Sequence, residues 1–327
     1  MDNLGNRMLK TIVNFRGATL ILIIGLISLI MAFASPAFLT VMNIKTTMIG
    51  LSADGIVVIG MTVALVSGGV DLSVGSVFCL AGVVMGRLFL IGANVWVAVL
   101  GGLVAGLLCG LFVGLLVGKG GINPLITSLA MMGIARGLAM VITSGSPLSL
   151  YRMPDQFTQL GEGTLFGIPI FIIFFAGLSV INDFLFRRSG LFRKVFYTGS
   201  NEKAAILSGI STDNVKVGVY VLSAMLSTIA GLLTVARFRV ATPSVGVGME
   251  LACISAAVIG GASLTGGEGT ILGSVLGIIL LALIRNALVL RNVSIFWQQF
   301  VAGVILIIAV SIDHFTQQRK KEKVGGG

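Results

Sequence analysis

Apolar runs of about 18 residues or longer recur along the whole chain, each long enough to cross the ~30 Å hydrocarbon core of a bilayer as a helix. Such recurrence excludes a single cleavable leader or a lone anchor. With 56% hydrophobic and 10% charged residues, and a mean hydropathy of +1.07, the solvent of this chain is lipid rather than water. The expected fold class is therefore an all-α polytopic membrane protein of about ten transmembrane helices, within a range of eight to ten. The segments lie near residues 19–34, 49–66, 73–91, 94–117, 123–143, 167–186, 215–236, 249–262, 271–290 and 296–313. The eighth is short for a complete crossing.

Orientation follows from the basic residues, because short loops rich in Lys and Arg stay in the cytoplasm. Arg7, Lys10 and Arg16 precede the first segment. Arg187, Arg188, Arg193, Lys194, Lys203 and Lys216 mark a central loop, and Arg319, Lys320, Lys321 and Lys323 close the chain. Both termini and the central loop are expected inside, which demands an even number of crossings. On this reading 1–18 is a cytoplasmic N-terminal segment, 19–313 one transmembrane domain with a cytoplasmic loop at 187–214 and a periplasmic loop at 144–166, and 314–327 a basic cytoplasmic tail. Trp96 and Trp297 fall at the outer interface, where indoles favour the headgroup region. Arg237 and Arg239 also fall outside, against the rule.

The net charge of +10 sits in segments flanking the spans rather than along one face, so nucleic acid is not an expected partner. Cys79, Cys109 and Cys253 lie in apolar stretches without metal-ligand spacing and read as core fillers. His314 is the one histidine, which supports neither a metal cage nor a proton relay. Gly102, Gly106, Gly110, Gly114 and Gly118 recur at every fourth residue of one span, forming a stripe on which another helix is expected to press. Gly-rich turns at Ser67 to Gly75 and Gly260 to Thr270 echo one another, as repeat-related hinges would; convergent turn chemistry explains them equally well. The terminal Gly325, Gly326 and Gly327 carry no expected role.

No phosphate-binding loop is present: Gly118-Lys119 would need Gly at 113 and Ser or Thr at 120, where Val113 and Gly120 stand. No nucleophile, base and orienting acid fall together, so the chain is not expected to be an enzyme. The run from Gly199 to Ile210 reads as a short docking helix. Asn201 is its N-cap, Glu202 suits the positive end, Ala204 and Ala205 let a partner approach, and Gly209 ends it. An ordinary amphipathic connector has the same composition.

That run resembles the coupling loop, Gly-x-Asn-x-x-Ala-Ala-x-x-x-Gly-Ile, of ABC importer permeases of the ribose, arabinose and galactose type. Further pieces match in order: Gly68-Gly69-Val70-Asp71-Leu72-Ser73-Val74-Gly75, Asn123-Pro124-Leu125-Ile126-Thr127, Arg136-Gly137, Gly248-Met249-Glu250-Leu251, and the stretch from Ala256 through Gly260, Gly261, Gly266 and Gly267. The resemblance covers about residues 20 to 315; where the family usually has Gly-Arg before the coupling run, Phe192 precedes Arg193. It implies a multi-pass protein of the bacterial inner membrane that imports a monosaccharide. Gly199, Asn201, Glu202, Ala204, Ala205, Gly209 and Ile210 would then couple to a cytoplasmic ABC ATPase, a fused tandem that holds the ATP and Mg; this chain binds no cofactor. The other implied partners are a periplasmic sugar-binding protein and a second permease copy or homologue.

Gly68, Gly69, Asp71, Gly75, Gly260, Gly261, Gly266 and Gly267 are assigned to structural turns, with Asp71 capping the third span. Charges inside spans are costly and face protein or water-filled space. Asp54, Arg87, Arg136, Glu250 and Arg285 are placed in the outer half, either as a polar vestibule or as ion pairs such as Asp54 with Arg136 and Glu250 with Arg285. Asp54, Arg136, Glu250, Arg285 and Asn286 are the candidate substrate-path residues, with Asn43, Thr47, Ser67, Thr127 and Gln298 as further possible pore contacts. The alternative function is an ion-gradient-driven secondary transporter, which would place an acid at the bilayer midplane beside broken helices; the spans drawn above place none there.

Overall fold

A computed structural model describes residues 16–325 of the chain, so Arg7, Lys10, Gly326 and Gly327 lie outside the described residues. The chain is a bundle of helices: α1 (Arg16–Ala34), α2 (Val41–Val66), α3 (Val74–Leu90), α4 (Val95–Gly118), α5 (Pro124–Thr143), α6 (Asp155–Glu162), α7 (Ile170–Arg188), α8 (Gly190–Ser200), α9 (Glu202–Leu207), α10 (Thr212–Phe238), α11 (Met249–Ile259), α12 (Ile271–Leu290) and α13 (Ile295–Gly325). Two short antiparallel pairs complete it, β1 (Leu148–Ser149) with β4 (Val240–Ala241), and β2 (Thr164–Leu165) with β3 (Ile168–Pro169).

Seven helices among the described residues are long and apolar enough to cross a membrane; α3, α11 and Ile295–Ser311 within α13 are apolar but shorter. Each of the ten apolar segments in the sequence overlaps one of these ten helices. Their beginnings carry local signals, since side chains of Thr40, Asn94, Asn123 and Thr270 accept from free amides of the first turns of α2, α4, α5 and α12.

Three boundaries depart from the sequence reading. Helix α2 begins at Val41 rather than 49. The segment drawn at 249–262 is an 11-residue helix, about 16 Å long at 1.5 Å per residue, too short to span the bilayer by itself. Helix α13 continues past 313 to Gly325, so the expected cytoplasmic tail begins as a helical extension.

Helices α2 and α10 form the centre. In their most apolar windows 78% and 72% of residues are buried, against 33% or less in the other five long helices. Those are the two elements hydrophobic all round and enclosed by protein. Helix α4 lies along α10 through its glycine stripe. A Cβ on Gly110 would stand 2.7 Å from Ala224 Cβ, and one on Gly114 2.9 Å from Val217 Cα. Gly106 faces Thr228, Gly118 faces the Asp213 carbonyl, and Gly102 faces Leu232 and the Ala81 carbonyl of α3. Without an aqueous hydrophobic force between helices, this close van der Waals approach is what joins them.

Candidate coupling site and path

One end of the bundle carries α8, α9 and both Gly-rich turns. Asn201 breaks the chain between α8 and α9 with an extended φ of −159°. Its Oδ1 accepts from the Ala204 amide at 3.0 Å, which fixes the start of α9. Gly209 ends it at φ +79°, a left-handed conformation that glycine adopts without steric cost; the Ile210 amide reaches back to the Ala205 carbonyl at 3.0 Å. Glu202 at the positive end forms an ion pair with Lys216 of α10 and so pins α9 to the bundle centre. Ala204 is exposed, whereas Ala205 is buried and packs inward, contrary to its expected place in a partner's reach. The outward apolar surface is instead Ile206 and Leu207, 55% and 89% exposed. Neither was singled out from the sequence, although two bulky apolar residues before a glycine stop, outside any span, were a readable signal.

Gly199 lies where the two Gly-rich turns touch. The Gly267 amide donates to the Val66 carbonyl at 2.9 Å. A Cβ on Gly266 would fall 2.9 Å from Gly68 Cα and 2.7 Å from the Gly199 carbonyl. The turns following α2 and α11 thus meet each other and the end of α8 backbone to backbone. Beside this junction is a cleft of about 320 Å³ lined by Gly68, Gly199, Asn201, Glu202, Lys216 and Tyr220, among others.

Asp71 is buried above the junction. Its Oδ1 accepts from the Ser73 amide at 3.0 Å and the Ser73 hydroxyl at 2.6 Å, and its Oδ2 accepts from the Ser223 hydroxyl of α10 at 2.7 Å. The N-cap of α3 is Ser73, so Asp71 is not the cap itself. It holds the turn and ties it to α10. Tyr220 and Ser128 both donate to the Val70 carbonyl next to it, at 3.4 and 3.2 Å.

Of the charges expected in the outer half, Asp54 sits deeper. With α2 starting at Val41, Asp54 stands thirteen residues from one end and twelve from the other, at the middle of the helix. Arg136 donates to the carbonyls of Pro243 at 2.8 Å, Val245 at 2.6 Å and Gly75 at 3.4 Å. Glu250 closes on the same glycine, its Oε2 being 3.0 Å from where a Gly75 Cβ would lie. The ion pairs expected between Asp54 and Arg136 and between Glu250 and Arg285 do not form. Ion pairs among the described residues join Asp183 to Arg187, Glu202 to Lys216 and Glu162 to Arg239, all near helix ends, where water lowers the cost of desolvation. Arg87 is exposed in the last turn of α3.

Asn286, a candidate path residue, bonds reciprocally with Asn43, at 2.8 and 3.2 Å, so these two amides satisfy each other between α12 and α2. Ser67, Thr127 and Gln298 each donate to a backbone carbonyl nearby. Cys79, Cys109 and Cys253 are buried free thiols.

At the opposite end Arg239 grips Glu162 of α6 through two hydrogen bonds, at 2.9 and 2.8 Å, and Arg237 donates to the Gly161 carbonyl at 3.4 Å. The arginines that break the charge rule are thus engaged by α6. The Arg239 guanidinium holds the Glu162 carboxyl below its ordinary value.

A multi-helix apolar bundle, a short helix presented beyond its end and polar groups held within it define a polytopic membrane permease. The chain belongs to the family described as branched-chain amino acid transport system / permease component, which it matches over residues 43–310. Among its curated relatives are the ribose import permease protein RbsC of Bacillus subtilis, 36% identical over 87% of this chain and 88% of that protein, and the L-arabinose transport system permease protein AraH of Escherichia coli K12, 38% identical over 88% and 87%. The L-arabinose ABC transporter permease protein AraH of Azospirillum brasilense is 33% identical over 88% and 84%. No solved structure matches significantly. The resemblance drawn from the coupling run and the ordered motifs therefore holds: these relatives are permease components of sugar importers, not enzymes.

Proposed function

We propose that this chain is the membrane-spanning subunit of an ATP-driven, binding-protein-dependent importer of a monosaccharide in the bacterial inner membrane. The carrying observation is α9, a capped six-residue helix with Ile206 and Leu207 turned outward and its start tied to α10 through Glu202 and Lys216. A cytoplasmic ABC ATPase, a fused tandem holding the ATP and Mg, grips this helix. Its motion passes through Gly199 to both Gly-rich turns and through Lys216 to α10. The relatives' names bring ribose and L-arabinose forward as first substrates to assay. A periplasmic sugar-binding protein delivers the sugar, and a second copy or homologue completes the path.

The orientation that goes with this reading puts both termini and the 187–214 loop in the cytoplasm and α6 in the periplasm. Ten crossings then result: the segment from Val240 to Gly248 together with α11 makes the eighth, and α13 the tenth.

Co-purification with an ATPase subunit, followed by uptake of radiolabelled D-ribose or L-arabinose in proteoliposomes, tests the reading; uptake that needs ATP and survives collapse of ion gradients is the expected result. Asp54 at the middle of α2 favours a second reading, an ion-driven carrier, since a midplane acid near short helices is what such carriers use. Uptake abolished by gradient collapse in the presence of ATP would establish it instead.

A further inference from the structure

Between β4 and α11 the chain runs through Thr242–Gly248 without helix or strand. This segment lies deep. Arg136, which binds its Pro243 and Val245 carbonyls, sits seven residues before the end of α5 at Thr143, about 10 Å along the axis. The Cys79 thiol, facing the Thr242 and Pro243 carbonyls at 3.4 and 3.2 Å, sits eleven residues before the end of α3 at Leu90, about 16 Å along it. Irregular backbone at such depth is tolerated only against protein or water, since lipid satisfies none of its polar groups. Yet Ser244 is exposed and Val247 is 75% exposed. This face of the bundle therefore borders something other than lipid.

The inner side of the segment is tightly seated. Gly246, at φ +76°, lies so close to Gly75 that a Cβ on it would stand 2.6 Å from the Gly75 carbonyl. Arg136 bridges the two elements by donating to Gly75 as well as to the segment. Glu250 follows immediately in the first turn of α11.

We propose that Thr242–Gly248 is the constriction of the translocation path, with Ser244 and Val247 facing a water-filled lumen, and that Arg136 is the positioning residue that latches it against α3. The inference rests on the transport reading. It recasts Arg136 as a residue that acts through the segment rather than on the solute. A hydroxylated solute passing here meets one hydroxyl and one small apolar side chain, groups compatible with several sugars.

Single cysteines at Ser244 and Val247 test the proposal in the chain assembled with its ATPase in proteoliposomes. The native chain, whose three thiols are buried, is the blank, and Val180→Cys on the exposed face of α7 is the lipid-side control. Because attack needs a hydrated thiolate, a charged methanethiosulfonate is expected to react about tenfold or more faster at Ser244→Cys and Val247→Cys than at Val180→Cys, and labelling is expected to block sugar uptake. Rates as slow as the control would overturn the path-facing assignment.

Arg136→Lys keeps the charge but loses the planar fork that bridges several carbonyls. It is expected to speed labelling of Val247→Cys severalfold without ATP and to lower sugar moved per ATP. Unchanged labelling and coupling would overturn the latch. If the assembly moves neither D-ribose nor L-arabinose, the sugar reading falls, while the contrast in thiol accessibility still decides where the segment faces.

Discussion

Asp71 and Ser223 are 152 residues apart in sequence and joined by a 2.7 Å hydrogen bond in the interior of the bundle. The bond connects a Gly-rich turn at the coupling end to α10, the helix around which α2, α3 and α4 are packed.

Removing one partner of that bond leaves a buried acceptor underserved, which costs about 1–3 kcal/mol. Ser223→Ala is expected to lower the thermal stability of the detergent-purified protein by an amount in that range. Asp71→Ala, which orphans Ser73 and Ser223 together, should cost more than Ser223→Ala. Thermal unfolding curves of the two variants, compared with the parent, check the order.

The glycine stripe of α4 tolerates no bulk. Gly110→Val drives its side chain into Ala224 and Val221, and overpacking of this kind costs about 1–3 kcal/mol or more. Gly177→Ala on α7, where an added Cβ meets nothing within 4 Å, is expected to be neutral. Yield of monodisperse protein in mild detergent separates the two.

Leu207, 89% exposed on α9, is the expected anchor for the ATPase. An apolar anchor buried at an interface carries ~2 kcal/mol or more, about thirtyfold in affinity. Leu207→Asp is expected to abolish co-purification of the ATPase while leaving membrane insertion intact; equal recovery of the complex would remove α9 as the docking element.

The Glu162 and Arg239 pair yields a pH dependence with a definite sign. Arg239 lowers the Glu162 carboxyl below 4.5 in the folded chain, so the stabilisation is present above the unfolded value and is lost as pH falls through the folded one. Thermal stability is expected to drop below about pH 4.5 more steeply in the parent than in Glu162→Gln. Both side chains are largely open to water, so the difference is small and shrinks with added salt. Melting temperatures of the two proteins across pH 3 to 6 provide the measurement.

Several features were legible from local chemistry. The ten apolar segments each overlap an apolar helix because transfer of a segment into lipid is a sum over its own residues. Asn201 and Gly209 bracket α9 because a cap and a left-handed stop act within one turn. The stripe from Gly102 to Gly118 announced a close neighbour, but nothing in it named α10.

Other features lie where hydropathy carries no information about depth or rotation. Hydropathy places Asp54 in the outer half because Asn43, Lys45, Thr46 and Thr47 dilute the first turns of α2, although the helix continues through them. Ala204 and Ala205 read as the small residues that let a partner approach, yet Ala205 is buried and Ile206 and Leu207 face outward, because a six-residue helix carries too few residues for its own pattern to set its rotation. For Arg136 the sequence leaves open a polar vestibule or a carboxylate partner, whereas three carbonyls hold it, and the backbone course of Thr242–Gly248 has no hydropathy signature.

By itself, the sequence determined that the chain lives in lipid, where its apolar helices fall, where most begin, and the permease family to which it belongs. These are properties of residues near one another along the chain. Only the tertiary structure decided that Gly199 meets both Gly-rich turns, that Asp71 reaches Ser223, that Asn43 satisfies Asn286, and that Arg136 clasps a segment more than a hundred residues away. Those contacts depend on the azimuth and depth at which helices pack. In a bilayer nearly every face is apolar, so it is interhelical hydrogen bonds and the close approach of glycines, not hydrophobic pattern, that select one arrangement.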